Sequence, residues 1–387
     1  MICINSKIQI LFYEPKSLSM KRLGERSLTV LVVDVSPVTW GKRDLLRTAN
    51  DRTRFTKGKP SVGPANLDDL LSAVQAFSSA FSSLERDSAL ILVAVAGSEV
   101  AVVHPRKDEM ENYFSNPETK LDSRKIQSDL VGGVAELVSR AASKQSFGNG
   151  NSNGASPPSL SASLAAMASA FSISLCLINR FLVATNSGIS ALRNQDSWSQ
   201  GDGDDEDVIT ALGGSGGGGA SKSNKGRSWS PRILLIQASD DRPSDYNAFM
   251  NCAFASVKQN VVVDGCFIPA PGGTQTSPYL EQTCDLTGGL WLAPKGAAQS
   301  NKALTEVLLG VFLPPRSSRS RLNLPGINKV DFRARAFDTG KILDMAFVCN
   351  QCLSIFEHKP VGCCPTCGAE IRSPESNRNN NKQQRIN

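Results

Sequence analysis

The chain has 387 residues, a formal net charge of +6 and 40 % hydrophobic residues. That length admits one large domain plus a small module, or two domains, and so modest a basic excess does not by itself demand nucleic acid. No apolar run approaches the roughly 20 residues of a membrane span. The short apolar patch at residues 8–13 is followed by no small-residue cleavage site, so neither a membrane protein nor a secretory signal is expected.

In chain order, residues 1–24 read as an N-terminal extension, with Met20 near the start of the folded part. A nearly continuous apolar run over residues 28–34, ending in Asp34, predicts a central strand buried on both faces. A polar loop is expected over residues 39–63. Asn66 then offers an N-cap before Leu67, Leu70, Leu71, Val74, Phe77, Phe81 and Leu84 repeat at helical spacing. Residues 89–96 and 99–103 read as two strands joined tightly at Gly97-Ser98. Helical spacing returns at Ile126, Leu130, Val134, Leu137 and Val138.

The Gly-, Asn- and Ser-rich stretch 145–159 predicts a disordered insertion, and residues 160–180 a long helix. Residues 195–230, acidic and then glycine-rich, predict a second disordered insertion, because such composition buries too little apolar area to offset chain entropy. Then come a strand at 232–237, a helix through Tyr246, Phe249, Met250, Ala253 and Val257, and a strand at 261–267. A short helix at 277–286, a strand at 290–292 and a helix at 304–312 complete the body. Strands alternating with helices predict an α/β doubly wound, mostly parallel sheet with helices on both faces, spanning residues 25–315. Residues 316–345 read as a linker, 346–371 as a small zinc-binding module and 372–387 as a disordered tail.

The most specific chemistry lies in that module. Cys349-x-x-Cys352 and Cys364-x-x-Cys367 each have the spacing at which one tight knuckle presents two thiolates, and four thiolates around one tetrahedral Zn²⁺ is the natural reading. Cys363 and His358 are possible competitors. Cys364 is preferred over Cys363 because only it forms a two-residue knuckle with Cys367, and Gly368 offers a positive φ just after it. With four ligands and no open position, one structural Zn²⁺ is expected, and the module should unfold without it.

The remaining cysteines, Cys3, Cys176, Cys252, Cys266 and Cys284, lie singly in apolar periodic segments, as small hydrophobes in a reducing compartment. Asp34-Val-Ser-Pro-Val38 partly matches the Asp-x-Ser-x-Ser loop that holds Mg²⁺ in von Willebrand A domains. With valine at the third oxygen position, Thr39 one residue out of step, and only Asp240 and Asp241 to help, it makes a poor cage. Asp34 is expected instead to accept backbone N–H bonds. The glycine run 213–219 lacks the strand and the Gly-Lys-Ser/Thr triplet of a phosphate loop. Neither His104 nor His358 has a nucleophile or orienting carboxylate at motif spacing, so no catalytic residue and no small-molecule substrate are expected. Arg316, Arg319 and Arg321 read as a solvated linker or, secondarily, a nucleic-acid contact without a stacking ladder.

With the elements in order, the chain resembles subunit 3 of general transcription factor IIH (TFIIH), the smaller subunit of that complex with a von Willebrand A-like domain. The resemblance is carried by Val32-Val-Asp-Val-Ser-Pro-Val-Thr-Trp-Gly41, by Asn247-Ala-Phe-Met-Asn-Cys-Ala-Phe-Ala255 with Lys258-Gln-Asn260, and by Asp285-Leu-Thr-Gly-Gly-Leu-Trp291. Val311-Phe-Leu-Pro314 and Val348-Cys-Asn-Gln-Cys-Leu-Ser-Ile-Phe356 with Cys364-Pro-Thr-Cys367 complete it. The resemblance implies a von Willebrand A-like fold and a nuclear, non-enzymatic scaffold subunit of the TFIIH core complex. It would act in RNA polymerase II transcription initiation and nucleotide excision repair, partnered chiefly by the larger subunit with A-like and zinc domains. The family's zinc ligands carry over to Cys349, Cys352, Cys364 and Cys367. Two readings stand as alternatives: a nucleic-acid-binding zinc protein, and a Mg²⁺-dependent A-domain receptor.

Overall fold

The structure, a computed structural model, describes residues 26–54, 65–84, 88–115, 122–147, 165–185, 229–242, 245–270, 276–294, 301–319, 321–324, 336, 343, 345–352 and 354–371. The expected extension at 1–24, the tail 372–387 and most of both insertions lie outside the described residues. The chain divides into two compact units, residues 1–242 with 247–328, and residues 243–246 with 329–387.

The first unit is built on β1 (Arg26–Asp34), whose buried run reflects cover on both faces. β2 (Ala89–Ala96) flanks it on one side and β4 (Trp229–Gln237) on the other, both parallel, with Val30 opposite Ile91 and Ile233. β3 (Glu99–His104) pairs antiparallel with β2, while β5 (Val262–Phe267) and the two-residue β6 (Trp291–Leu292) extend the other side in parallel. The order β3-β2-β1-β4-β5-β6 is that of a doubly wound sheet, as the sequence predicts.

Strand alternation divides the core. Leu31 and Val33 point to one cluster, Leu28, Val30 and Val32 to the other. The first face is covered by α1 (Pro37–Arg54), α2 (Leu67–Leu84), α4 (Ser123–Phe147) and α8 (Asn301–Val307). The second is covered by α3 (Met110–Ser115), α5 (Met167–Ala184), α6 (Tyr246–Lys258) and α7 (Pro278–Thr287).

Several elements differ from the sequence reading. The expected polar loop at 39–63 is largely α1, a helix opened by Pro37, with Trp40 and Arg43 buried on one face. Among its described side chains, Trp40 and Arg43 are the buried ones, so no buried apolar stripe marks this helix in the sequence. α4 runs to Phe147 and β4 begins at Trp229, so the first residues of one expected insertion belong to a helix and the last two of the other to a strand. α5 is apolar and long enough, at 18 residues, to pass as a membrane span. Half of it is buried, through Phe171, Leu175, Ile178 and Phe181, in the second core. Cys176 on this helix is exposed, contrary to the buried role expected for it, whereas Cys266 and Cys284 are buried. Burial pushes the Cys266 thiol up to about 12.

Two arginines, Arg232 and the partly buried Arg319, tie the last helices to the sheet. α8 continues into a π turn, Leu308–Phe312, closed by Leu313 N donating to Leu308 O at 2.9 Å. Its terminal carbonyls would lack donors. Arg232 of β4 supplies them, donating to the carbonyls of Phe312, Leu313 and Pro314 and to Thr29 Oγ1. The linker expected from residue 316 instead opens with α9 (Arg316–Arg319). Arg319 is no solvated or nucleic-acid-facing residue: its guanidinium meets both oxygens of Asp264 in β5, at 2.8 and 2.5 Å. Leu290 N donates to the same carboxylate at 2.8 Å. Gly289 makes this approach possible, since a Cβ there would lie 1.9 Å from Val263 O.

The second unit contains a hairpin, β7 (Phe347–Val348) with β8 (Ile355–Phe356), and a turn over residues 364–369. Its buried cluster is Cys349, Phe356 and Cys364, with Cys352, Ala369 and Ile371 packed against it.

Candidate metal centre and the closed end of the sheet

The hairpin positions the first cysteine pair. Cys349 N donates to Ser354 O at 2.9 Å, closing the knuckle that turns Cys352 back towards Cys349. The second pair is shaped in the same way, by Cys364 N to Ala369 O and Gly368 N to Cys364 O, both 2.8 Å. Gly368 has φ 72°, the left-handed conformation the sequence suggests for it. The four Sγ atoms of Cys349, Cys352, Cys364 and Cys367 lie within 4.8 Å of one another. Cys349 to Cys367 is 3.8 Å and Cys352 to Cys364 is 3.7 Å. Sulfur–sulfur separations of this size suit a tetrahedral thiolate cage with metal–sulfur bonds of about 2.3 Å. Cys363 and His358 are both exposed and outside this group.

The electrostatics fit a cation. Desolvation opposes the Cys352 thiolate, yet the Ser354 hydroxyl and amide, with the thiols of Cys367 and Cys349, bring it down to about 6. For Cys367 the Ala369 amide favours the thiolate, but desolvation and the sulfurs of Cys352, Cys364 and Cys349 push it up to about 12. Four sulfurs this close compete to hold negative charge. A divalent cation at their centre relieves that competition and lets all four ionise.

The carboxyl end of the sheet, between β1 and β4, is where doubly wound folds bind ligands. Here it is filled by its own chain. Asp34 is fully buried. Its Oδ1 accepts from Ser36 N at 3.0 Å and Ser36 Oγ at 2.6 Å. Its Oδ2 accepts from Ala238 N at 3.1 Å, Ser239 N at 2.7 Å and the Ser239 hydroxyl. The expectation that Asp34 takes backbone N–H bonds holds, and no carboxylate lone pair is left for Mg²⁺. Asp241 is likewise engaged, with Gln237, Ser277 and Tyr279, and burial pushes it up to about 6. Val38 and Thr39 have turned into α1, away from any shared oxygen cage. Millimolar Mg²⁺ is therefore expected to leave the thermal midpoint of the sheet unit unchanged, within about a degree; a rise of several degrees would reveal a cation site.

Beside this loop lies a cation that sequence reasoning missed. Arg43, 1 % exposed, donates to Ile268 O at 2.5 Å and stacks on Trp40 at 5.0 Å. Burial lowers its pKa to about 10, against the attraction of Asp34. Only the i, i+3 spacing of Trp40 and Arg43 on a helix could have signalled it.

His104 also departs from its sequence reading, because it does have an orienting carboxylate. Its Nδ1 lies 2.9 Å from Asp129 Oδ2, while Arg106 holds Asp129 Oδ1 at 2.7 Å. The Nε2 atom is buried without a hydrogen-bond partner, and a Tyr113 ring edge covers the imidazole. The pair is thus a packed structural unit and not a base beside a nucleophile. Burial lowers the His104 pKa despite Asp129. The folded state then binds fewer protons than the unfolded chain, so this contribution is present above about pH 6.5 and lost as pH falls below it. Urea midpoints at pH 7 and 5.5 should differ more for wild type than for His104→Gln; equal differences would exclude this role.

Comparison with known proteins gives a consistent picture. The family model described as transcription factor Tfb4 matches residues 26–368. A Dictyostelium discoideum protein named general transcription factor IIH subunit 3 is 39 % identical over 142 residues, 36 % of this chain and 36 % of its own length. The Arabidopsis thaliana general transcription and DNA repair factor IIH subunit TFB4 is 39 % identical over 141 residues, 36 % of this chain and 43 % of that protein. The Schizosaccharomyces pombe counterpart is 39 % identical over 136 residues, 35 % of this chain and 42 % of that protein. The alignments thus span about two-fifths of these relatives. Among solved structures, the crystal structure of the TFIIH p34 N-terminal domain aligns with 74 % of this chain and 98 % of its own, at 14 % identity and TM-score 0.45.

Proposed function

This chain belongs to the transcription factor Tfb4 family, and from that premise we propose that it is a structural, non-enzymatic subunit of the TFIIH core complex. In this reading it resides in the nucleus and serves RNA polymerase II transcription initiation and nucleotide excision repair. It does so by holding other TFIIH subunits, chiefly the larger one with A-like and zinc domains, and not by chemistry of its own. Residues 25–315 would form the von Willebrand A-like domain, with α9 belonging to it through Arg319 and Asp264, the remainder of 316–345 would connect it, and 346–371 would form a C4 zinc module. Cys349, Cys352, Cys364 and Cys367 would hold one Zn²⁺, which supplies folding energy to a unit with few buried residues.

One observation carries the reading: the family match takes in both the sheet and all four cysteines. Two further features support it. Asp34 is saturated by its own chain, which removes the motive for a Mg²⁺-dependent receptor. Arg319 is engaged with Asp264, which takes one of the three arginines from a nucleic-acid patch.

The test is tagged expression at native level, followed by nuclear extraction and identification of the co-purifying chains in stoichiometric yield. Recovery of TFIIH subunits is the expected result. A lone chain, or one retained on DNA with a steep salt dependence, would defeat the proposal.

A further inference from the structure

α1 is amphipathic the wrong way round. A surface helix ordinarily turns its apolar side chains to the core. Here Trp40, Arg43 and Arg47 share the inward face, the first two buried and the third paired with Asp69 at 3.0 Å. Val38, Gly41, Lys42 and Leu45 recur at the spacing of the opposite face, with Leu46 beside them. Leu45 is 73 % exposed and Leu46 42 %. A Cβ on Gly41 would meet nothing within 4 Å, so this strip is open down to the backbone. Lys42 is exposed and has no ion pair among the described residues, while Asp44, to the side of the strip, is already engaged.

We propose that the strip seats the chain's own residues 202–212, Asp202-Gly-Asp-Asp-Glu-Asp-Val-Ile-Thr-Ala-Leu212, from the insertion between α5 and β4 that lies outside the described residues. Val208, Ile209 and Leu212 would lie against Leu45 and Leu46, and the carboxylates before them against Lys42.

Charge, area and tether length select this occupant. α1 carries five basic residues against two acidic ones. Asp204, Asp205, Glu206 and Asp207 are the only four consecutive carboxylates in the chain. Residues 55–64, which follow α1 directly, hold Lys57 and Lys59 and no carboxylate, so charge turns them away. Two turns of one helix fall far short of the roughly 800 Å² that each partner buries in a specific complex of separate chains. A tethered segment needs less, because its linkers hold it at an effective concentration on the order of millimolar. Those linkers reach. α5 ends and β4 begins at the amino end of the sheet, where Phe181 packs on Trp229 at 4.8 Å, whereas α1 follows the carboxyl end of β1. The length of β1 separates the two ends by about 30 Å. Residues 186–201 and 213–228 each span up to about 50 Å when extended.

The inference does not depend on the assembly role and is tested on the isolated full chain. Carbodiimide joins a lysine amine directly to a carboxylate in contact with it. Peptide mapping should find Lys42 joined to residues 204–207 within one chain, in greater yield than any link from Lys57 or Lys59. Leu45→Gln, at an exposed helical position, should keep the thermal midpoint and lower the Lys42 product at least fivefold.

Equal yields at Lys42, Lys57 and Lys59, or no loss in Leu45→Gln, would mean a solvated acidic run and overturn the inference. A product joining labelled to unlabelled chains, in an isotopic mixture, would assign the strip to a second copy. A link from Lys42 to another subunit of the recovered assembly, with none inside the isolated chain, would assign it to a partner. Either result overturns the inference and leaves the assembly role standing.

Discussion

Replacing Cys349 and Cys364 together by serine is expected to unfold the C-terminal unit while the sheet unit stays folded. The buried cluster of that unit is Cys349, Phe356 and Cys364 with three partly buried neighbours. A core of this size cannot offset an ordering entropy of about 1–2 kcal/mol per residue. Binding of Zn²⁺ by four thiolates contributes about 10–16 kcal/mol in comparable small modules, so metal and fold are gained or lost together. Two measurements check this: metal content per chain, and the dispersion of backbone amide signals from residues 346–371. Wild type should hold one equivalent and lose that dispersion on chelation. One equivalent retained by the double variant would refute the ligand assignment, and a module that stays folded without metal would refute the energetic argument. Cys363→Ser, outside the group, should leave both readouts unchanged.

The second large effect is expected at Arg319. Substitution by methionine keeps most of the side-chain volume and leaves Asp264 charged within β5, where its side chain is 1 % exposed. Leu290 N is then its remaining donor among the bonds described above. Breaking one side of a buried pair costs about 3–5 kcal/mol, mostly from the charge left unpaired. Chemical denaturation of the sheet unit should report that loss. Adding Asp264→Asn to Arg319→Met should recover much of it, since the stranded charge is gone. A single variant costing under about 1 kcal/mol would mean the pair behaves as a surface contact. The same experiment separates a structural arginine from a nucleic-acid-binding one, because the latter could be removed without loss of stability.

Much of the fold was legible from local pattern. The apolar runs that became β1, β2, β4 and β5 have the continuous hydrophobicity of strands covered on both sides, which no exposed element tolerates. The repeat through Leu70, Val74, Phe77 and Phe81 was legible as α2 for the same reason, since all four are buried. The thiol pairs were legible because knuckle geometry depends on residues adjacent in sequence. α1 was hidden because it offers the core one tryptophan and one arginine in place of an apolar stripe. The His104–Asp129 pair was hidden because its members stand 25 residues apart and meet only once β3 and α4 have packed.

By itself, then, the sequence determined the alternation of strands and helices, the metal-binding knuckles and the poverty of the Mg²⁺ loop. Each follows from residues within a turn or two of one another. Only the tertiary structure decided that the second oxygen of Asp34 is met by Ala238 and Ser239 just after β4, that Arg43 and Arg232 are internal, and that Arg319 belongs to Asp264. Those outcomes depend on which distant donors reach a buried charge. Burial makes an unmet charge so costly that the chain must bring partners from far along its length, and no local pattern records where they come from.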